Sequence, residues 1–150
     1  MEACRMEKGD AMRLKDIMSK KVLTIKLDDS ISAAAARMKE SNVGCLLVVG
    51  SGLQGIITDR DLAVRCIAEE HDTCDCQVSG HMSNPVITGT SDMDVLDAAR
   101  LMTQKQIKRL PVMDGQNLVG LVSLSDIALA LDRPMHDVLI GMGAARRAVA

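Results

Sequence analysis

The sequence predicts an α/β chain of the α+β type, in which two β-α-β-β-α repeats are related by a pseudo-two-fold axis. The stretch GIITDRDL, Gly55 to Leu62, recurs as GLVSLSDI, Gly120 to Ile127, with the same order of apolar and polar residues. Laying Met82 on Met18 aligns the two halves at an offset of 64 residues, and identities accumulate along it. Each half also alternates strand-like runs with helical patterns. The chain therefore contains the same structural unit twice.

The first repeat opens with a short helix, LKDIM, that begins at Leu14. Val22 to Ile25 then predicts a strand, and the DDS run, Asp28 to Ser30, supplies a helix cap. The following helix ends near Asn42. It carries apolar residues at i, i+3, i+4 and i+7, which places them on one face: Ile31, Ala34, Ala35 and Met38.

Two further strands predict a hairpin, because a tight Gly-Ser-Gly turn separates Cys45 to Val49 from Leu53 to Thr58. A second helix begins at Asp59. The second repeat has the same order, with one more residue in its hairpin turn, Asp114 to Asn117. Gly55 therefore aligns with Gly120 at an offset of 65 residues, and insertions of this kind belong in turns.

We expect five segments along the chain. An N-terminal extension precedes the first repeat, a short linker joins the repeats, and a tail with a possible helix from Met135 to Ile140 follows the second. In order, the predicted segments are the extension 1–13, the first repeat 14–70, the linker 71–77, the second repeat 78–132 and the tail 133–150.

Composition narrows the class of protein. Of 150 residues, 47% are apolar and 25% are charged, which is typical of a soluble globular protein. The net charge of −2 gives no reason to expect nucleic-acid or membrane-surface binding. With no apolar run of about 18 residues and no signal-peptide pattern at the N-terminus, we expect a cytoplasmic protein. The five cysteines are odd in number and irregularly spaced, which favours reduced thiols.

A hydroxyl residue precedes a carboxylate by three positions in both repeats, as Thr58 with Asp61 and Ser123 with Asp126. The hydroxyl and the amides of a first helical turn can bind phosphate, and a carboxylate can accept hydrogen bonds from a ribose diol. The pattern thus favours a phosphorylated nucleoside. Because the same residue types are common N-caps, both aspartates could instead only cap helices.

This tandem unit resembles the CBS domain, and two in tandem resemble a Bateman module. DIMSKKVLTI and HMSNPVIT open the two repeats, while GCLLVV and KRLPVMD stand where the family has its central strand. The TDRD form of the first motif is typical of small stand-alone bacterial members. The resemblance implies a non-catalytic regulatory protein that binds AMP, ADP or ATP between its repeats, forms homodimers and acts on an unidentified protein partner.

The resemblance also implies a set of ligand-binding residues. Asp61 and Asp126 would bind ribose hydroxyls, and the remaining positions would bind phosphate or adenine. The resemblance implies that phosphate would be bound by Thr58, Arg60, Ser123, Lys108 and Arg109. Adenine would lie against Val22, Thr24, Val86 and Thr88. The second motif has Leu124 and Ser125 in place of Asp59 and Arg60, which weakens phosphate binding there.

Three other functions remain open. Five soft ligands around the linker could hold zinc, although the Cys-x-Cys spacing is tighter than usual: Cys66, His71, Cys74, Cys76 and His81. The repeats could serve only as a dimerisation or protein-interaction module. An enzyme is the least favoured reading, because none of the three histidines has a recognisable nucleophile or acid-base partner.

Overall fold

A computed structural model describes residues 11–131 and contains both predicted repeats. The first repeat comprises α1 (Leu14–Ile17), β1 (Thr24–Lys26), α2 (Ile31–Ser41), β2 (Cys45–Gly50), β3 (Gly52–Thr58), α3 (Asp59–Asp61) and the π-helix Leu62–Ile67. A 3₁₀ turn, Val78–Gly80, opens the second repeat, which continues through α4 (Val95–Lys105), β4 (Arg109–Asp114), β5 (Asn117–Ser123) and α5 (Leu124–Leu131). The predicted fold class is confirmed, with one difference in the second repeat.

The strands form two small sheets that share a common plan. In the first repeat, β1 runs parallel to β2, and β2 pairs antiparallel with β3 as the predicted hairpin. In the second repeat, β4 pairs antiparallel with β5. The register shifts just after Val48 in one hairpin and just after Val112 in the other. These two residues align, so even the register shift of the hairpin is repeated.

The first strand of the second repeat is reduced to a single bridge. Between residues 11 and 131 the segment around Val86 to Thr88 forms no strand, and only Gly89 pairs with Val112. Glycine weakens a strand because it has no side chain to pack. It is nevertheless required here, since a Cβ on Gly89 would lie 2.9 Å from Leu14 Cδ1. In the first repeat the predicted strand also begins later, at Thr24.

Each repeat contributes its opening segment to the core of the other. Leu14 of α1 is fully buried among the core residues of the second repeat, and its amide donates to Met93 O at 3.0 Å. The aligned residue, Val78, is fully buried in the first repeat, and its amide donates to Asp29 O at 2.9 Å. The two repeats therefore interlock rather than simply pack side by side.

The helix ends follow the predicted signals. The Ser30 hydroxyl accepts a hydrogen bond from Ala33 N at 3.1 Å and so caps α2, while Asn42 ends it in the left-handed conformation with φ of 52°. One member of the predicted apolar face differs. Ile31, Ala34 and Met38 are buried, but Ala35 is exposed, because α2 buries only a narrow stripe on its sheet.

Two of the predicted segments fall largely outside the described residues. They are the N-terminal extension, apart from its last three residues, and the tail with its possible helix from Met135 to Ile140. None of the helices between residues 11 and 131 combines the length and the apolar character that crossing a bilayer requires.

Candidate functional site

The first motif forms where β3 ends and α3 begins. The Thr58 amide and hydroxyl both donate to Asp61 Oδ2, each at 2.9 Å, and the Asp61 amide donates to Thr58 Oγ1 at 3.2 Å. This is a reciprocal capping box, which satisfies amides that a first helical turn leaves without partners. The capping role considered for this aspartate is therefore realised, and any ligand must use what remains of its carboxylate.

The second motif repeats this geometry between β5 and α5. The Ser123 amide and hydroxyl both donate to Asp126 Oδ2 at 2.7 Å, and the Asp126 amide donates to Ser123 Oγ at 3.1 Å. The identical arrangement in both repeats explains why the two sequence motifs match. The shared pattern is therefore a helix-capping signal in both repeats, independent of any role in ligand binding.

The other carboxylate oxygen distinguishes the two motifs. Asp61 Oδ1 lies 3.4 Å from Arg65 Nε, and the Asp61 side chain is 14% exposed. This oxygen takes no part in the capping box, so it retains acceptor capacity for a ligand hydroxyl. In the second repeat Ala130 stands where Arg65 stands in the first, so the neighbouring cation is not repeated.

A cleft of about 640 Å³ opens between the first motif and the second repeat. Five of the predicted ligand-binding residues line it: Thr58, Arg60, Asp61, Lys108 and Arg109. The structure adds six that the sequence did not single out as ligand contacts: Gly44, Ile56, Asp59, Ser83, Gln106 and Ile107. The cleft thus combines the end of one repeat's β3 with the start of the other repeat's β4.

The remaining predicted residues do not line this cleft. Ser123 and Asp126 belong to the second motif, and the four residues expected to contact adenine are not part of the lining. Of those four, Thr24 pairs with Leu47 inside the first sheet, and Thr88 is exposed on the other repeat. The sequence therefore located the polar part of this cleft, while its apolar walls are Ile56 and Ile107.

The charges that line the cleft favour an anion. Three cationic side chains, from Arg60, Lys108 and Arg109, face two carboxylates, from Asp59 and Asp61. Burial raises the pKa of the Cys45 thiol, and the nearby Arg109 guanidinium opposes that rise. A phosphate group would find basic partners on both sides of the cleft.

The lack of a side chain at Gly44, the residue before β2, leaves room for the Asp59 carboxylate. The Asp59 amide donates to Gly44 O at 3.0 Å, and a Cβ on Gly44 would lie 3.2 Å from Asp59 Oδ2. The same bond recurs in the second repeat, where the Leu124 amide donates to Lys108 O at 3.0 Å. Alignment of Gly44 with Lys108 was the signal that could have identified Gly44 as a lining residue.

The cysteines and histidines around the linker separate into two groups. Cys66, His71, Cys76 and His81 place their ligand atoms within 4.8 Å of one another. Cys74 is exposed and lies outside this group. Four of the five soft ligands considered from the sequence are thus brought together, and none of the four lines the cleft.

Comparison with known proteins identifies the family. The CBS domain profile matches residues 14–66 and 77–133. The CBS domain-containing protein YhcV of Bacillus subtilis is 44% identical over 117 residues, a match that covers 77% of this chain and 83% of that protein.

Two solved structures are similar to this fold. The CBS domain pair of protein MJ0100, in complex with 5′-methylthioadenosine and S-adenosyl-L-methionine, has a TM-score of 0.72 and 30% identity over 81% of this chain and 96% of that chain. Hypoxic Response Protein I, with two coordinated zinc ions, has a TM-score of 0.71 and 27% identity over 78% of this chain and 97% of that one. Together with the interlocked repeats, these matches show that the chain belongs to the CBS domain family and contains a CBS domain pair, a regulatory module.

Proposed function

We propose that this protein senses an adenine nucleotide, AMP, ADP or ATP, in the cleft between its repeats and passes the change to a protein partner. The observation that carries the proposal is the placement of the Thr58–Asp61 motif opposite Lys108 and Arg109 in one cleft. The site is a binding site that carries out no reaction. Its two sides belong to different repeats, so an occupant would contact both of them.

The chemistry of the cleft supports each part of a nucleotide. Asp61 Oδ1 is available to accept a ribose hydroxyl, and the Lys108 and Arg109 side chains are available to phosphate. Ile56 and Ile107 offer an apolar surface for the base. A volume of about 640 Å³ lies within the range of small-molecule sites, about 300–1,000 Å³.

The charge balance favours a phosphorylated adenosine over the ligands of the MJ0100 domain pair. That neighbour supports an adenosine moiety as the common recognition element. S-adenosyl-L-methionine, however, carries a sulfonium cation, and 5′-methylthioadenosine carries no phosphate. Three cationic side chains in the cleft would attract a phosphate group strongly. They would gain little from 5′-methylthioadenosine, which has no anionic group, and from S-adenosyl-L-methionine, whose single carboxylate is outweighed by its ammonium and sulfonium cations.

Calorimetric titration with each of AMP, ADP, ATP and S-adenosyl-L-methionine tests the proposal. We expect nucleotide dissociation constants between about 1 μM and 1 mM, equivalent to about 4 to 8 kcal/mol. Asp61→Asn is the informative variant, because an amide oxygen can still accept the Thr58 hydrogen bonds while the charge is lost. Losing one charged acceptor costs about 1.5 kcal/mol, so affinity should fall about tenfold.

Asp126→Asn is the matched control, since it makes the same change in an equivalent capping box that does not line this cleft. It should leave affinity at the first cleft unchanged. Lys108→Met should weaken ATP more than AMP, because it removes a phosphate partner and leaves the ribose contact. The sensor function would be contradicted if the folded protein bound no adenosine compound at about 1 mM, the concentration that corresponds to a binding free energy of about 4 kcal/mol. The interaction-module function would then be favoured.

A further inference from the structure

We propose that Cys66, His71, Cys76 and His81 form a Cys₂His₂ zinc site that fastens the linker between the repeats to the first repeat. Their ligand atoms all lie within 4.8 Å of one another. Zinc binds sulfur at about 2.3 Å and nitrogen at about 2.0–2.1 Å, so a tetrahedral site spaces its ligand atoms about 3.3–3.8 Å apart. Small side-chain rotations would bring the four atoms to that geometry.

The two histidines are arranged to ligate. His81 Nδ1 lies 3.1 Å from Gln77 O, a contact in which the ring nitrogen must donate. This fixes the tautomer and leaves His81 Nε2 as an acceptor, 3.1 Å from His71 Nδ1. His71 Nδ1 therefore donates a hydrogen bond to it when no metal is bound, and a zinc ion would take the place of that proton. The 3.1 Å separation is close to the edge between two nitrogens of a zinc tetrahedron, about 3.3–3.4 Å.

Burial of two of the four ligands, Cys66 and His81, distinguishes this cluster from an accidental surface group. His81 is 7% exposed and is the only polar side chain that the structure buries between residues 11 and 131. Cys66 is fully buried as well. A buried imidazole beside two thiols adds little to a core, whereas a metal ion would engage all of these groups at once.

The local backbone brings His71 over Cys66. The helix after the cleft motif is a π-helix over Leu62–Ile67, in which Ala68 N donates to Ala63 O at 2.9 Å. The chain then reverses through Glu70, which has φ of 58°, and His71 N donates to Cys66 O at 3.0 Å. Single π turns are frequent at functional sites. The turn places a linker ligand directly above a helix ligand.

The pseudo-symmetric positions give an internal comparison. Under the alignment of the two repeats, three of the four ligands, Cys66, Cys76 and His81, correspond to Leu131, Met12 and Ile17. The fourth, His71, corresponds to His136, which lies outside the described residues. The fold thus accommodates apolar residues at all three positions, and the helix that carries Leu131 is a regular α-helix. The π-helix and the four soft ligands thus occur together where the first repeat, the linker and the start of the second repeat meet, which is what a dedicated metal site predicts.

The site would secure a segment that already contacts the first repeat. Ile31 N donates to Cys76 O and Ser32 N donates to Thr73 O, both at 2.9 Å. Closing the loop from Cys66 to His81 with a metal would limit the conformational freedom of the linker. The mixture of thiolates and imidazoles favours zinc over magnesium or calcium, which prefer oxygen ligands.

Metal loading of the purified, reduced protein tests this proposal. After exposure to excess Zn²⁺ and desalting, we expect one equivalent per chain, and Co²⁺ in its place should give the visible absorption of a tetrahedral site. His71→Ala changes an exposed side chain and should spare the fold. It should lower zinc affinity by more than about a hundredfold. Loss of a residue that only hydrogen-bonds a ligand typically lowers affinity by about 10- to 100-fold, so a larger effect identifies His71 as a ligand.

Cys74→Ser is the matched control, because this thiol lies in the same linker but outside the cluster. It should retain one equivalent of zinc, whereas Cys76→Ser should lose it. Less than a tenth of an equivalent in the wild type would overturn the proposal, as would equal zinc loss in Cys74→Ser and Cys76→Ser. Circular dichroism of each variant separates metal loss from unfolding, and none of these outcomes depends on nucleotide binding.

Discussion

At the scale of single residues, two glycines let each repeat's opening segment approach the other repeat. A Cβ on Gly55 would collide with Met82 Sδ and would lie 3.1 Å from Ser83 O. The aligned Gly120 would collide in the same way with Met18 Sδ. Both glycines stand in strands, where glycine is otherwise unfavourable. Their role is therefore to permit contact between the repeats.

Gly55→Ala should destabilise the protein by about 1–3 kcal/mol, the usual cost of overpacking a core. Chemical denaturation measures this cost. The double variant Gly55→Ala with Met82→Ala should cost less than the sum of the single changes, because the shortened side chain relieves the collision. Gly80→Ala is the control, since a Cβ there would meet no atom within 4 Å, and a cost equal to that of Gly55→Ala would contradict the explanation.

At the scale of elements, the exchange of opening segments depends on α1 and the 3₁₀ turn. Lys15 of α1 forms an ion pair of 2.7 Å with Asp92 of the second repeat, which raises the pKa of Lys15 and lowers that of Asp92. Exposed pairs of this kind stabilise little. The stronger contact is Leu14, whose side chain is fully buried beside Leu110 and Val122.

Leu14→Ala should lower the free energy of unfolding by about 2–5 kcal/mol, as for other buried leucines. Its effect should be asymmetric, because the cavity forms in the second repeat. Hydrogen exchange should therefore show a greater loss of protection in β4 and β5 than in β2 and β3. Val78→Ala is the matched variant and should reverse this order, since its side chain lies in the first core. A greater loss of protection in β2 and β3 than in β4 and β5 for Leu14→Ala would contradict the placement of each opening segment in the core of the other repeat.

At the scale of the whole molecule, we predict a homodimer formed through the exposed faces of the helices. Small residues on α2 and α4 would allow close helix approach, but Ala34 and Ala98 are wholly buried in their own repeats and cannot contribute. The remaining surface on α4 includes Leu96, which is 50% exposed, beside a shallow groove of about 340 Å³ lined by Ala99 and Arg100. Burying this surface against a second copy would remove exposed apolar area from water.

Sedimentation should give about twice the chain mass of 16.1 kDa. Leu96→Glu should shift the protein toward the monomer, because it places a charge within the predicted interface. Ser79→Glu, an exposed change on the 3₁₀ turn, should leave the mass unchanged. A wild-type monomer at tens of micromolar, or a mass unaltered by Leu96→Glu, would contradict this interface.

Much of the fold was predictable because the information is local and repeated. Helix caps, hairpin turns and apolar periodicity identify α2, β2 and β3 from a few neighbouring residues, and the second repeat confirms each choice independently. Asn42 illustrates this: it ends α2 as expected, and the aligned Gln106 ends α4 with the same φ of 52°. The first strand of the second repeat was less predictable. It is interrupted near Gly89, where Leu14, from another part of the chain, leaves no room for a side chain.

The sequence by itself determined the repeats, the element order, the two capping motifs and the cations near the first of them, since each follows from short-range chemistry or from the alignment of the halves. Only the tertiary structure decided that opening segments are exchanged, that Ile56 and Ile107 form the apolar walls of the cleft, and that Cys74 is separated from the other soft ligands. These outcomes depend on contacts between residues far apart in the chain. The π-helix and the reversal at Glu70 bring His71 onto Cys66 while His81 arrives from the other repeat, and no local pattern specifies that meeting.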